Sequence, residues 1–102
     1  LKMGLVPQNA KNIKMRKFIA ETSMEFLEWV KDTDNVPTND RLEKSMYFNN
    51  FINEYQDYKK WLTNKKFNIW IQKYSNFIGA EYLEGNTNGM RWFTIKTGML
   101  TL

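Results

Sequence analysis

The chain has 102 residues, enough for one domain with a single modest core. Hydrophobic residues make up 42% and charged residues 25%, and the mean hydropathy of −0.62 excludes a membrane span; the absence of both Cys and His removes thiolate nucleophiles, disulfides, zinc fingers and imidazole bases. The net charge of +4 is unevenly spread: residues 1–22 hold five bases and one acid, residues 23–58 three and eight, and residues 59–102 seven and two, so the C-terminal half is expected to face a polyanion.

No basic leader precedes an apolar run, and position 1 is Leu1 instead of Met, so the sequence reads as a piece of a longer chain. Its lack of cysteine fits a reducing, cytoplasmic setting. Residues 1–22 form a basic N-terminal linker or arm: Gly4 and Pro7 interrupt any apolar period as far as Asn12, and a short basic helix follows over Asn12 to Ala20. Thr22 with Glu25 three residues on matches a capping box just before Phe26, Leu27 and Val30. That predicts a helix from about Met24 to Lys31 and opens a domain over residues 23–98, with 99–102 as a tail.

Asp32 to Asp40 is rich in turn-forming Asp, Asn and Thr, and Pro37 stops any helix there. From about Arg41 to Leu62, apolar residues return at threes and fours (Leu42, Met46, Phe48, Phe51, Ile52, Tyr55, Tyr58, Trp61, Leu62). This predicts one long helix, or two with a turn near Asp57 to Lys60. Thr63 is the expected N-cap of the next helix, 63–77, which buries Phe67, Trp70, Ile71, Tyr74 and Phe77 or Ile78 along one stripe. Its other side carries Asn64, Lys65, Asn68, Gln72 and Lys73, with no acid between Thr63 and Ala80, and Gly79 ends it.

Beyond Gly79 the period changes. Ala80 to Glu84 and Met90 to Lys96 flank Gly85-Asn86-Thr87-Asn88-Gly89, a turn-forming run, which predicts a β-hairpin over 80–96. In its second strand Arg91, Phe93 and Ile95 share one face, with Phe93 and Ile95 closing the core, and Trp92 falls on the other. The high aromatic content, 16%, is read mainly as core rather than as base-stacking surface.

The expected fold is therefore mainly α with a small β-hairpin, in the element order of a winged helix-turn-helix. A helix with a polar, acid-free face fits the DNA major groove, and a hairpin beside it reaches the backbone. Lys65, Lys66, Lys73 and Arg91 are the expected phosphate contacts. Asn64, Asn68 and Gln72 can meet base edges or phosphates, Thr63 opens the helix, and Asn86, Thr87 and Asn88 with Trp92 form the wing's share of the surface. A solvated face is the plain alternative for each lysine, because lysine near a helix N-terminus opposes the dipole; a bound polyanion reverses that penalty.

Several of these residues also carry a family likeness. The run Leu62-Thr63-Asn64-Lys65-Lys66-Phe67, then Trp70-Ile71, then Gly89-Met90-Arg91-Trp92-Phe93-Thr94-Ile95 resembles the C-terminal winged-helix domain of superfamily 3 primase-helicases of the poxvirus and satellite-phage type. Tyr55, Tyr58 and Trp61 reproduce that family's Tyr-x-x-Tyr-x-x-Trp spacing, and Glu25-Phe26-Leu27-Glu28-Trp29 resembles its linking helix. The resemblance spans about residues 16 to 96. It implies DNA binding, with duplex DNA as partner, in a phage or mobile-element replication protein whose parent chain forms a ring. No Gly-x-x-x-x-Gly-Lys occurs, so ATP chemistry has no place on this segment.

Asp32 with Asp34, and Glu81 with Glu84, come nearest to a carboxylate metal site. The first pair lies in a turn and the second on opposite faces of a strand, so neither converges. No catalytic, metal or cofactor residue is assigned, and the segment is not read as an enzyme. The competing reading is a protein interaction module formed by the acidic helix 41–57 and a Met/Phe surface of a replisome or oligomer.

Overall fold

The computed structural model describes the backbone of residues 6–97 and the side chains of residues 13–97. The expected arm before Val6 and the tail 99–102 lie outside the described residues. The elements are α1 (Val6–Glu21), α2 (Met24–Val30), β1 (Leu42–Glu43), α3 (Lys44–Glu54), a 3₁₀ turn (Gln56–Lys60), α4 (Asn64–Phe77), β2 (Glu81–Thr87) and β3 (Met90–Lys96). The helix-rich expectation with a small hairpin holds, and a third strand joins the hairpin.

Helix α1 is longer than the sequence suggests. It runs through Pro7, which sits in the first turn, where a missing N–H removes no intrahelical bond. Among the described side chains of α1, those of residues 13–17 are exposed and Phe18 is the first that is buried, near the C-terminal end of the helix. There Phe18 stacks on Phe77 of α4, with ring centroids 4.9 Å apart.

The expected capping box does not form, and the N-cap lies one residue further on. Ser23, not Thr22, is the N-cap of α2, its Oγ accepting from the Phe26 N–H at 3.0 Å, while the Thr22 hydroxyl turns back and donates to the Phe18 carbonyl at 2.7 Å. Thr22 thus finishes α1, and its neighbour starts α2. This seven-residue helix buries Phe26, Leu27, Trp29 and Val30, and the fully buried Phe26 ring meets Phe51, Phe67 and Trp70 edge-on at 5.2–5.8 Å. Such offset contacts put the positive ring edge against a negative face.

The loop after α2 is held by its own polar side chains. Asp32 Oδ1 accepts from the Asp34 N–H, Asn35 Nδ2 donates to the Trp29 carbonyl, and Val36 is buried among them. Asn39, at φ 63°, then bridges to the far end of the chain: its N–H donates to the Ile95 carbonyl at 2.8 Å, and its Oδ1 accepts from the Thr97 N–H at 3.0 Å. This seats β1 beside β3, Leu42 opposite Phe93 and Glu43 opposite Trp92. The sequence pattern put these residues in a helix; two residues are too few to show alternation.

Helix α3 stops at Tyr55 (φ −124°, ψ 77°) and gives way to the 3₁₀ turn, so the stretch 41–62 is a strand, a helix and a turn; the single long helix does not form, and the break falls where the alternative reading placed its turn, near Asp57 to Lys60. The break rotates the residues beyond it. Trp61, expected on the buried stripe, is 52% exposed, while Leu62 next to it is buried. Helix α4 starts at the predicted cap, the Thr63 Oγ1 accepting from the Lys66 N–H at 3.1 Å, and buries Phe67, Trp70, Ile71 and Ser75. It ends on Gly79 (φ 76°): the Ala80 N–H reaches the Ser75 carbonyl and the Gly79 N–H the Asn76 carbonyl, which occupies two carbonyls the helix leaves free. Ile78, offered as an alternative core residue to Phe77, is 41% exposed.

The hairpin turn is tighter than its Gly/Asn run implies. Only Asn88 (φ 54°) and Gly89 (φ 81°) turn, so Asn86 and Thr87 belong to β2 and pair with Arg91 and Met90. Two consecutive positive φ values give the hairpin turn whose twist matches that of the strands. The sheet is antiparallel in the order β1-β3-β2, and the fully buried Phe93 and Ile95 press its inner face on the helices.

Candidate nucleic-acid interface

A cleft of about 910 Å³ lies between helix α4 and the hairpin. From α4 it is lined by Asn64, Lys65, Asn68 and Gln72, at the spacing that aligns side chains on one helix face, and from the hairpin by Asn86 and Arg91. Arg91 lies on the strand face of Phe93 and Ile95, as alternation requires. That face runs past the end of the core here, so Arg91 is exposed and opens on the cleft. Asn86 pairs with Arg91 across the ladder and shares its face.

Asn64 and Asn68 carry the most unusual feature of this wall: the Oδ1 of each is buried with no hydrogen-bond partner among the described residues. A polar oxygen stripped of water and left unpaired costs about 1–3 kcal/mol. Rotation of the terminal amide exchanges its oxygen for its amino group, so each side chain can offer an acceptor, a donor or both to an incoming group.

The floor of the cleft was not foreseen. Glu43, Lys44, Ser45 and Glu84 form it, with Lys44 Nζ 2.6 Å from Glu84 Oε1. The Tyr82 hydroxyl donates to the same oxygen at 3.0 Å. Lys44, then Tyr82, hold the Glu84 carboxyl below its ordinary range, while burial, aided by Glu84, pushes the Tyr82 phenol up. The cleft's charges are Lys44, Lys65 and Arg91 against Glu43 and Glu84, and the Lys44–Glu84 pair leaves Lys65 and Arg91 as its outward cations. Forty residues separate Lys44 from Glu84, and no local pattern announces such a pair.

The remaining predicted site residues lie around the cleft rather than in it. Thr63 spends its hydroxyl oxygen on the helix cap. Lys66 points the other way, its Nζ 5.5 Å from the centre of the Trp61 ring. Lys73 is 3.2 Å from Glu21 Oε1 and ties α4 to α1. Asn88 forms the hairpin tip. Trp92 occupies the opposite face of the sheet, flat against Gly85, with its Nε1 donating to Thr87 Oγ1 at 3.2 Å and Arg41 4.4 Å above the ring. Thr87 and Trp92 therefore brace the hairpin from behind.

Among the described residues no group of three or more carboxylates is placed to hold a metal ion, and no helix is long and apolar enough to cross a membrane. Comparison with family models, curated proteins and solved structures finds no match for this chain, so the geometry of the cleft is what carries a reading of its function.

Proposed function

We propose that this chain is a DNA-binding module of the winged helix-turn-helix type, with α4 in the major groove of a duplex and the hairpin on the adjoining backbone. The observation that carries the reading is the shared cleft, into which an acid-free helix face and a hairpin face direct amides and two outward cations. A single phosphate strand fits between two such walls and accepts hydrogen bonds from both, which fixes the register of α4 on the base edges. The order helix, short strand, helix, turn, helix, hairpin, with the short strand beside the last one, supports the same architecture. The parent protein is then a replication protein of the primase-helicase type from a phage or mobile element, assembling as a ring, with any ATPase outside this segment.

The test is fluorescence anisotropy with a labelled duplex over a salt series. Binding should weaken steeply with salt, by about 0.9 logarithmic units per phosphate contact, and Lys65→Ala should flatten the slope by about one unit on every sequence tried. An interaction module that binds protein instead of DNA shows no such dependence, and that outcome overturns the reading.

A further inference from the structure

We infer a second contact, at Trp61: a stacking platform for an unpaired base in a single-stranded DNA tail that leaves the duplex held by α4. The inference rests on the DNA-binding reading above and extends it to the strand beyond the duplex. Tryptophan is costly to leave in water, and the chain buries it where it can, Trp29 and Trp70 being 3% and 2% exposed. Trp61 is 52% exposed, yet it is not loose. Its backbone N–H donates to the Tyr58 carbonyl, Leu62 beside it is anchored in the core, and its ring rests on Tyr58 at 5.3 Å and edge-on to Trp70 at 5.9 Å. A rigid indole costs little entropy to use as a binding surface.

Charge selects the occupant. From Tyr58 to Ala80 the sequence has five lysines and no acid, and of these Lys59 and Lys60 directly precede Trp61, while Lys66 holds its ammonium 5.5 Å from the ring centre. The Glu25 carboxylate on Tyr58 is already engaged by that phenol at 2.6 Å; an apolar peptide gains nothing from the Lys66 ammonium over the ring, whereas a nucleic-acid strand matches both the ring and the cation, because it alternates bases with phosphates. A duplex hides its base faces inside the stack, so the indole can be used only by a base that has no partner. Lys66 is the group such a base displaces from the ring, and its charge then moves to the neighbouring phosphate. Trp61 stands just ahead of the Thr63 cap, at the N-terminal end of α4, within reach of a strand that leaves the duplex at that end.

Anisotropy with a labelled blunt duplex, and with the same duplex carrying a tail of about six nucleotides, tests this at fixed salt. The tail should tighten binding by roughly tenfold, Trp61→Leu should abolish that increment while leaving blunt-duplex affinity unchanged, and Trp61→Phe should restore most of it. Leucine keeps an apolar cover on Trp70 and removes only the stacking face, so the fold is preserved. Equal affinity of the wild-type chain for the two duplexes, or a loss in Trp61→Leu that falls on both alike, overturns the stacking platform and leaves the α4 reading standing. Failure to bind either duplex overturns the α4 reading itself.

Discussion

Asn68 joins a cost to a use. Its amide oxygen is buried without a partner among the described residues of the free protein, in the middle of a helix where asparagine is itself a weak former. Asn68→Ala should therefore stabilise the chain by about 0.5–2 kcal/mol in urea unfolding. The same change should weaken duplex binding by about 1–3 kcal/mol, the value of a good amide contact with a base edge. Loss of both stability and affinity would instead make Asn68 a packing residue. At this scale the sequence marked the right wall of the cleft, since Asn64, Lys65, Asn68 and Gln72 follow from helical spacing alone. It gave no sign that Lys73, one residue further round the helix, pairs with Glu21, because that partner is 52 positions away in the chain and distant pairings leave no mark on local periodicity.

The hairpin depends on the absence of one side chain. A Cβ on Gly85 would fall 2.5 Å from Trp92 Cζ2, and the indole cannot yield, held as it is between Thr87 and Arg41. Gly85→Ala should cost about 1–3 kcal/mol, the usual penalty for overpacking, and read out in a lower Tm. Elements announced by their ends were legible in the sequence: Thr63 and Gly79 bracket α4, Asn88-Gly89 turns the hairpin, and Phe67, Trp70 and Ile71 fall on the expected face. Those signals are local. The short strand β1 and the exposure of Trp61 were not legible, for a shared reason. Both arise where α3 is cut short, by pairing with β3 at one end and by the break at Tyr55 at the other, and an apolar count at threes and fours runs through such breaks unchanged.

Across the molecule, carboxylates and phenols tie parts together at two places. Tyr58 donates to Glu25 at 2.6 Å, joining the 3₁₀ turn to α2, and the Lys44–Glu84–Tyr82 set joins α3 to the sheet. Tyr58 chiefly, with a backbone hydrogen bond, holds the Glu25 carboxyl below its usual 4.5, as Lys44 does for Glu84; their stabilising contributions are present above that value and lost as pH falls through the lowered folded ones. Burial raises Tyr58, Tyr74 and Tyr82 above the usual 10.0, so their contributions are present below it and lost as pH rises through the raised ones. Tm should thus be nearly flat from about pH 5 to 9 and fall on both sides, and Tyr58→Phe should shrink the acid-side fall. The sheet order has a consequence of another kind. Among the described residues strand β2 has a neighbour on one side only, so a row of backbone donors and acceptors faces outward along Glu81–Thr87, with Leu83 exposed among them. Such an edge invites a strand from another molecule, and charge is the ordinary guard against it. Glu81 and Glu84 are the only acids after residue 58, and both stand on this edge. In a region otherwise given over to lysine and arginine, a negative charge on this edge discourages such pairing, and Glu81 supplies it, Glu84 being engaged by Lys44 and Tyr82.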